Sequence, residues 1–108
     1  MQVVLTVEAL PGKPLAASAA FHAQHLDRAR RMLAGEGEGE GADALAIVMP
    51  AAGTDHDDWR RALARDLARA ASPKRVNVVG GAPGKAREEA LAYLADAPGI
   101  TGQYIPLS

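Results

Sequence analysis

The chain has 108 residues, 12 basic and 13 acidic groups, a net charge of −1 and no Cys. That length supports one domain, residues 1–108, with a small core, and the near-neutral charge argues against a basic nucleic-acid binder or a polybasic membrane anchor. The absence of Cys removes disulfides, zinc-thiolate sites and thiol nucleophiles together. No apolar run approaches the ~20 residues of a bilayer span, and Gln2-Val3-Val4-Leu5 lacks the basic start of a signal peptide, so a cytoplasmic protein is the expectation.

Gln2 to Val7 reads as a buried strand, ended by Pro11-Gly12-Lys13-Pro14. Leu15 to Ala34 reads as one helix. Leu15, Ala19, Phe21 or His22, Leu26, Ala29 and Leu33 recur at helical steps, Pro14 stands near its first turn, and Gly35 supplies its C-cap. Gly35 to Gly41 alternates Gly with Glu and reads as a mobile surface loop. Ala44 to Met49 is apolar throughout, as a strand covered on both faces is. Thr54 opens the next helix, with Thr54 and Asp57 resembling a capping box. Its inward stripe is Trp59, Ala62, Leu63, Leu67 and Ala70, and its wet stripe Arg60, Arg61, Arg65 and Arg69. Asp55, Asp58 and Asp66 are interleaved with those arginines, so pairing on a solvated face accounts for them. Ser72-Pro73 ends the helix. Arg75 to Val79 is a third strand. Lys85 to Asp96 is a third helix with Ala86, Ala90, Leu91 and Leu94 inward, and Gln103 to Pro106 is a last short strand. The order β-α-β-α-β-α-β implies an α/β, Rossmann-like fold: a small parallel sheet of about four strands with three helices.

Three stretches carry a family likeness over residues 62–105. They are Ala64-Arg65-Asp66-Leu67-Ala68, then Arg75-Val76-Asn77-Val78-Val79, then Leu94-Ala95-Asp96 through Ile100-Thr101-Gly102-Gln103-Tyr104-Ile105. Together they resemble the C-terminal part of the short-chain dehydrogenase/reductase family: the end of its active-site helix, its sixth strand, and its last helix and strand. The resemblance implies a Rossmann-like fold and, through the family, NAD or NADP as cofactor. The chain departs from the family where the chemistry lies. The turn after the first strand, Ala9-Leu10-Pro11-Gly12-Lys13-Pro14, has one glycine and two prolines, and proline lacks the N–H that a pyrophosphate needs. The Gly/Glu run follows a helix and precedes a strand, the reverse of the required order. Counting back from Arg75 places the family's catalytic Tyr and Lys near Met49 to Asp55, where neither residue occurs. Gly80-Gly81 stands where the family has Pro-Gly. Family members are about twice as long, so half of the dinucleotide fold is expected to be missing. The resemblance therefore implies ancestry and fold rather than catalysis, with no catalytic residue assigned and no cofactor required.

Other residues invite chemistry. His22 and His25 share a helix, but no further ligand stands nearby, and no metal site is expected. Asp55-His56-Asp57-Asp58 is explained by its place at a helix start. Gly80, Gly81, Gly84 and Lys85, in the turn Gly80-Gly81-Ala82-Pro83-Gly84-Lys85, are the best candidate anion site. They lie after a strand and before a helix, where ligands of such sheets bind, and a flexible turn is the alternative.

Right-handed crossovers between neighbouring strands would place every helix on one face of the sheet and leave the other apolar and bare. A homo-oligomer covering that face is expected. Packing through Phe21, Leu26 and the Ala-rich helix surface is a second interface, and a separate protein chain completing the fold is a further partner. Neither nucleic acid nor membrane is expected. The leading function is a non-catalytic dehydrogenase-like domain acting through assembly or protein binding. The alternative is a small nucleotide- or dinucleotide-binding oxidoreductase-like protein using Gly80 to Lys85.

Overall fold

The apolar runs form four strands: β1 (Gln2–Thr6), β2 (Ala44–Met49), β3 (Arg75–Gly80) and β4 (Tyr104–Pro106). The structure is a computed structural model and describes residues 1–107. All strands are parallel and lie side by side in chain order. Every residue of β2 is buried, as an uninterrupted apolar strand requires when both faces are covered.

Four helices accompany the sheet, not three. The stretch predicted as one helix divides into α1 (Pro14–Gln24) and α2 (Leu26–Leu33), followed by α3 (Asp57–Ala71) and α4 (Lys85–Ala95). The break is His25, at φ −125° and ψ −25°. Phe21 and Ala17 of α1 and Ala29 and Met32 of α2 are buried, whereas Leu15, expected inward, is 86% exposed. Gly35 does end α2. At φ +81°, a region L side chains avoid, it lets its own N–H reach the Met32 carbonyl and that of Glu36 reach Arg31, a Schellman closure.

The helices do not share one face. Leu45, Ile47 and Met49 of β2 and Val76 and Val78 of β3 point into a core with Leu5, Phe21, Met32, Leu63 and Leu67. The alternate residues Val48 and Val79 point the other way, into a second core with Leu94, Ala90 and Leu91 of α4, closed by Ile105 and Leu107. Thus α1, α2 and α3 cover one face and α4 the other. β3 and β4 are neighbours in the same direction as the earlier pairs, so the crossover through α4 has the opposite hand. This is an exception to the right-handed rule, and it corrects the expected bare face. What α4 leaves open is a strip on edge strand β1, where Val4 is 40% exposed and Gln2 Nε2 donates to the Leu91 carbonyl at 3.1 Å.

The Gly/Glu segment is not featureless. Gly37–Gly39 forms a 3-10 turn in which Gly39 is buried. Arg28 donates through Nε and Nη2 to the two carboxylate oxygens of Glu38, at 2.6 and 2.8 Å. That fork holds the Glu38 carboxyl below the usual carboxylate range. A Cβ on Gly39 would stand 2.1 Å from the Met32 carbonyl oxygen, against rigid backbone. Gly39→Ala is therefore expected to lower stability by about 3 kcal/mol, measured by urea unfolding. A change under about 0.5 kcal/mol would mean the turn yields freely.

Candidate functional site

Arg75-Val76-Asn77 and Ile100-Thr101-Gly102-Gln103 interlock. Asn77 is 2% exposed. Its Nδ2 donates to the Ile100 carbonyl at 3.0 Å and its Oδ1 accepts the Gln103 N–H at 3.1 Å. Thr101 Oγ1 accepts the Val76 N–H at 3.0 Å, and the Gly102 N–H donates to the Val76 carbonyl at 2.7 Å. Gly102 has φ +72° and packs against α3. Arg75 Nη1 donates to the carbonyls of Leu94 and Ala97, tying the end of α4 and the turn after it to β3. These bonds fasten the α4–β4 connection to β3. Here the shared motif residues act as structural fasteners.

The carboxyl edge of the sheet is where ligands of parallel α/β folds bind. It is filled by a side chain that the sequence reading put on the wet face. Arg60 is 1% exposed, the largest fully buried side chain among the described residues. It is in register with Leu63, Ala64 and Leu67, the buried residues of α3, and that spacing was the available signal. Nη1 donates to the Pro50 carbonyl at 3.0 Å and to the Tyr104 hydroxyl at 3.1 Å. The guanidinium lies 5.6 Å from the ring centroids of both Trp59 and Tyr104. Among the described residues no carboxylate pairs with it, and Nε is buried without a partner. Guanidinium stays charged in proteins, so two oxygen acceptors and two aromatic rings carry the burial of this charge.

The network extends to β1. Indole N–H groups only donate, so Trp59 Nε1 donates to His56 Nδ1, at 3.1 Å. The His56 proton is thereby assigned to Nε2, which donates to the Gly12 carbonyl at 2.9 Å. His56 closes a 3-10 turn, Thr54–His56, and Thr54 makes no side-chain cap. The expected capping box is absent because that turn, not Thr54, leads into α3.

The predicted anion-site residues fall into two groups. Gly80 and Gly81 are buried. A Cβ on Gly80 would lie 2.4 Å from the Tyr104 hydroxyl and 2.7 Å from Arg60 Nη1, and one on Gly81 2.9 Å from Leu107. The Gly81 N–H donates to the Met49 carbonyl. These two glycines make room for Arg60, Tyr104 and Leu107. Gly84 and Lys85 are exposed at the start of α4, where Lys85 Nζ lies 3.8 Å from Glu89.

Of the other candidates, His22 Nδ1 lies 2.7 Å from the Ser18 carbonyl. Among the described residues no group of three potential metal ligands comes together. No helix there is long and apolar enough to cross a membrane. Arg61, Arg65 and Arg69 line one side of α3, against Thr101, Gly102 and Gln103. On its other side a groove of about 770 Å³ separates α3 from α1 and α2.

Arg60→Ala would leave the Tyr104 hydroxyl and Pro50 carbonyl unpaired around a void. A loss of about 3 kcal/mol is expected in urea unfolding. Retained stability would show that the guanidinium does not hold this edge.

No curated protein and no solved structure matches the chain. The sequence signature of the short chain dehydrogenase-like (SDR-like) family matches residues 5–107. That span takes in all of α1 to α4 and β2 to β4, including both interlocked motifs. The chain therefore belongs to the short chain dehydrogenase-like family.

Proposed function

We propose that this chain is a non-catalytic member of its family that works by binding a second copy of itself. The observation that carries the reading is the occupied carboxyl edge. The stretch 49–55, where the resemblance puts the catalytic Tyr and Lys, has neither residue and lies ahead of α3. Neither tyrosine of the chain has a Lys four positions on: Ala97 follows Tyr93 and Ser108 follows Tyr104. Arg60, Trp59 and Tyr104 take the space: Arg60 donates to the Tyr104 hydroxyl and the Pro50 carbonyl, and Trp59 to His56.

The surface that favours self-association is the groove between α1–α2 and α3. Leu26, Leu33, Leu63, Leu67 and Ala70 line it. Phe21, expected at this surface, is fully buried and contributes to the core instead. Arg30 and Asp66 also line the groove. Arg30 lies on α2 and Asp66 on α3, so a two-fold-related copy can set each against its opposite charge. Sedimentation velocity is expected to show a dimer at ~50 µM. Ala70→Glu, on an exposed lining position, is expected to give a folded monomer. A wild-type monomer at that concentration contradicts the reading.

A second reading is a dinucleotide held at the start of α4. It rests on Gly84 at the N-cap of α4, where no side chain caps the helix, and on the exposed Lys85 beside it. It requires saturable cofactor binding that is lost in Lys85→Ala.

A further inference from the structure

Three of the chain's 12 basic residues stand on one side of α3, at positions 61, 65 and 69. Steps of four keep them on one face, and at 1.5 Å per residue they span about 12 Å of helix. Facing them is the segment that Asn77 fastens to β3. Between the two runs a groove of about 740 Å³, lined by the three arginines, Ala68, Ser72, Thr101, Gly102, Gln103 and Tyr104. Among the described residues no carboxylate lines it.

Pairing on a solvated face uses these charges only in part: Arg61 and Arg65 each have one long ion pair, and Arg69 has none among the described residues. Asp57 reaches Arg61 only at 3.6 Å and Asp66 reaches Arg65 only at 3.5 Å. Asp66 belongs to the opposite groove. Asp55 and Asp58 form no ion pair among the described residues, and neither does Arg69. The far wall adds neutral hydrogen-bonding groups. Thr101 Oγ1 accepts from the Val76 N–H and keeps its own proton to donate. Gln103 Nε2 has only a 3.3 Å contact with the Thr101 carbonyl. Ala68 and Tyr104 complete the lining. The wall is rigid because the Gly102 N–H donates to the Val76 carbonyl and the Gln103 N–H to Asn77 Oδ1.

We infer that this groove binds a small polyphosphorylated ligand. Arginine is the side chain suited to phosphate, through its planar fork of donors. Three guanidiniums in a row match charge spread over more than one phosphoryl group, and the volume is that of a small-molecule site. The groove lies across α3 from the proposed dimer surface, so both can be occupied at once. It is also separate from the start of α4.

The test is calorimetric titration of the intact protein at low salt with four probes: ADP, inorganic tripolyphosphate, orthophosphate and a single-stranded oligonucleotide. ADP and tripolyphosphate are expected to bind with micromolar Kd and orthophosphate at least about tenfold more weakly. Tighter binding of ADP assigns the site to nucleotides; tighter binding of tripolyphosphate assigns it to inorganic polyphosphate. Arg65→Gln with Arg69→Gln, both at exposed positions, is expected to weaken binding at least about tenfold with unchanged circular dichroism. Lys85→Ala is expected to leave it unchanged. No saturable binding below ~1 mM overturns the proposal. So does binding indifferent to the double substitution or lost in Lys85→Ala, and so does an oligonucleotide that binds and is not displaced by tripolyphosphate.

Discussion

A buried cation with no carboxylate partner among the described residues sets the terms for the carboxyl edge of this domain. The Arg60 guanidinium is taken out of water between the Pro50 carbonyl, the Tyr104 hydroxyl and two aromatic rings. Burying a charge in that way is costly unless every acceptor is in place. It therefore fixes the end of β2, the position of β4 and the absence of a side chain at Gly80 together. His56 and Trp59 carry the same constraint across to the Gly12 turn after β1. In a parallel sheet this edge is the usual place for ligand chemistry. Here its donors and acceptors are largely spent on holding the strands and turns to one another.

The second constraint is the route of the last crossover. Because α4 lies on the face opposite the other helices, the chain must return past β3 to form β4. Asn77, Thr101 and Gly102 supply the bonds for that return. Arg75 holds the far end of α4. The two motif stretches thus form one device, which is a physical reason for finding them together. It also gives the arginine-lined groove a rigid wall.

The strands and their parallel order were legible in the sequence, since apolar β-branched runs between turns leave few other readings. Positions 44–49 are the strand predicted, with the same bounds. The helix faces were less legible. Charge alone puts Arg60 outside, whereas its spacing from Leu63, Ala64 and Leu67 marks the inward stripe. The break at His25 has no Pro or Gly to announce it. The side taken by α4 is not legible, because the handedness rule puts it with the other helices and this crossover departs from it. Gly39 is held by contact with the Met32 backbone, a tertiary fit that composition cannot display. Of the proposed anion site, position in the turn was legible. The burial of Gly80 and Gly81 was not, because it depends on Arg60 and on Leu107 further along the chain.

Calorimetric titration of the wild-type protein with NAD(H) and NADP(H) tests most directly whether the carboxyl edge has been given over to structure. With Arg60 and Tyr104 filling that edge, no saturable uptake of the nicotinamide moiety is expected. Any heat from the dinucleotides should be matched by ADP alone and abolished by the Arg65→Gln, Arg69→Gln double substitution. Micromolar binding that distinguishes reduced from oxidised cofactor, and survives that substitution, would contradict the account.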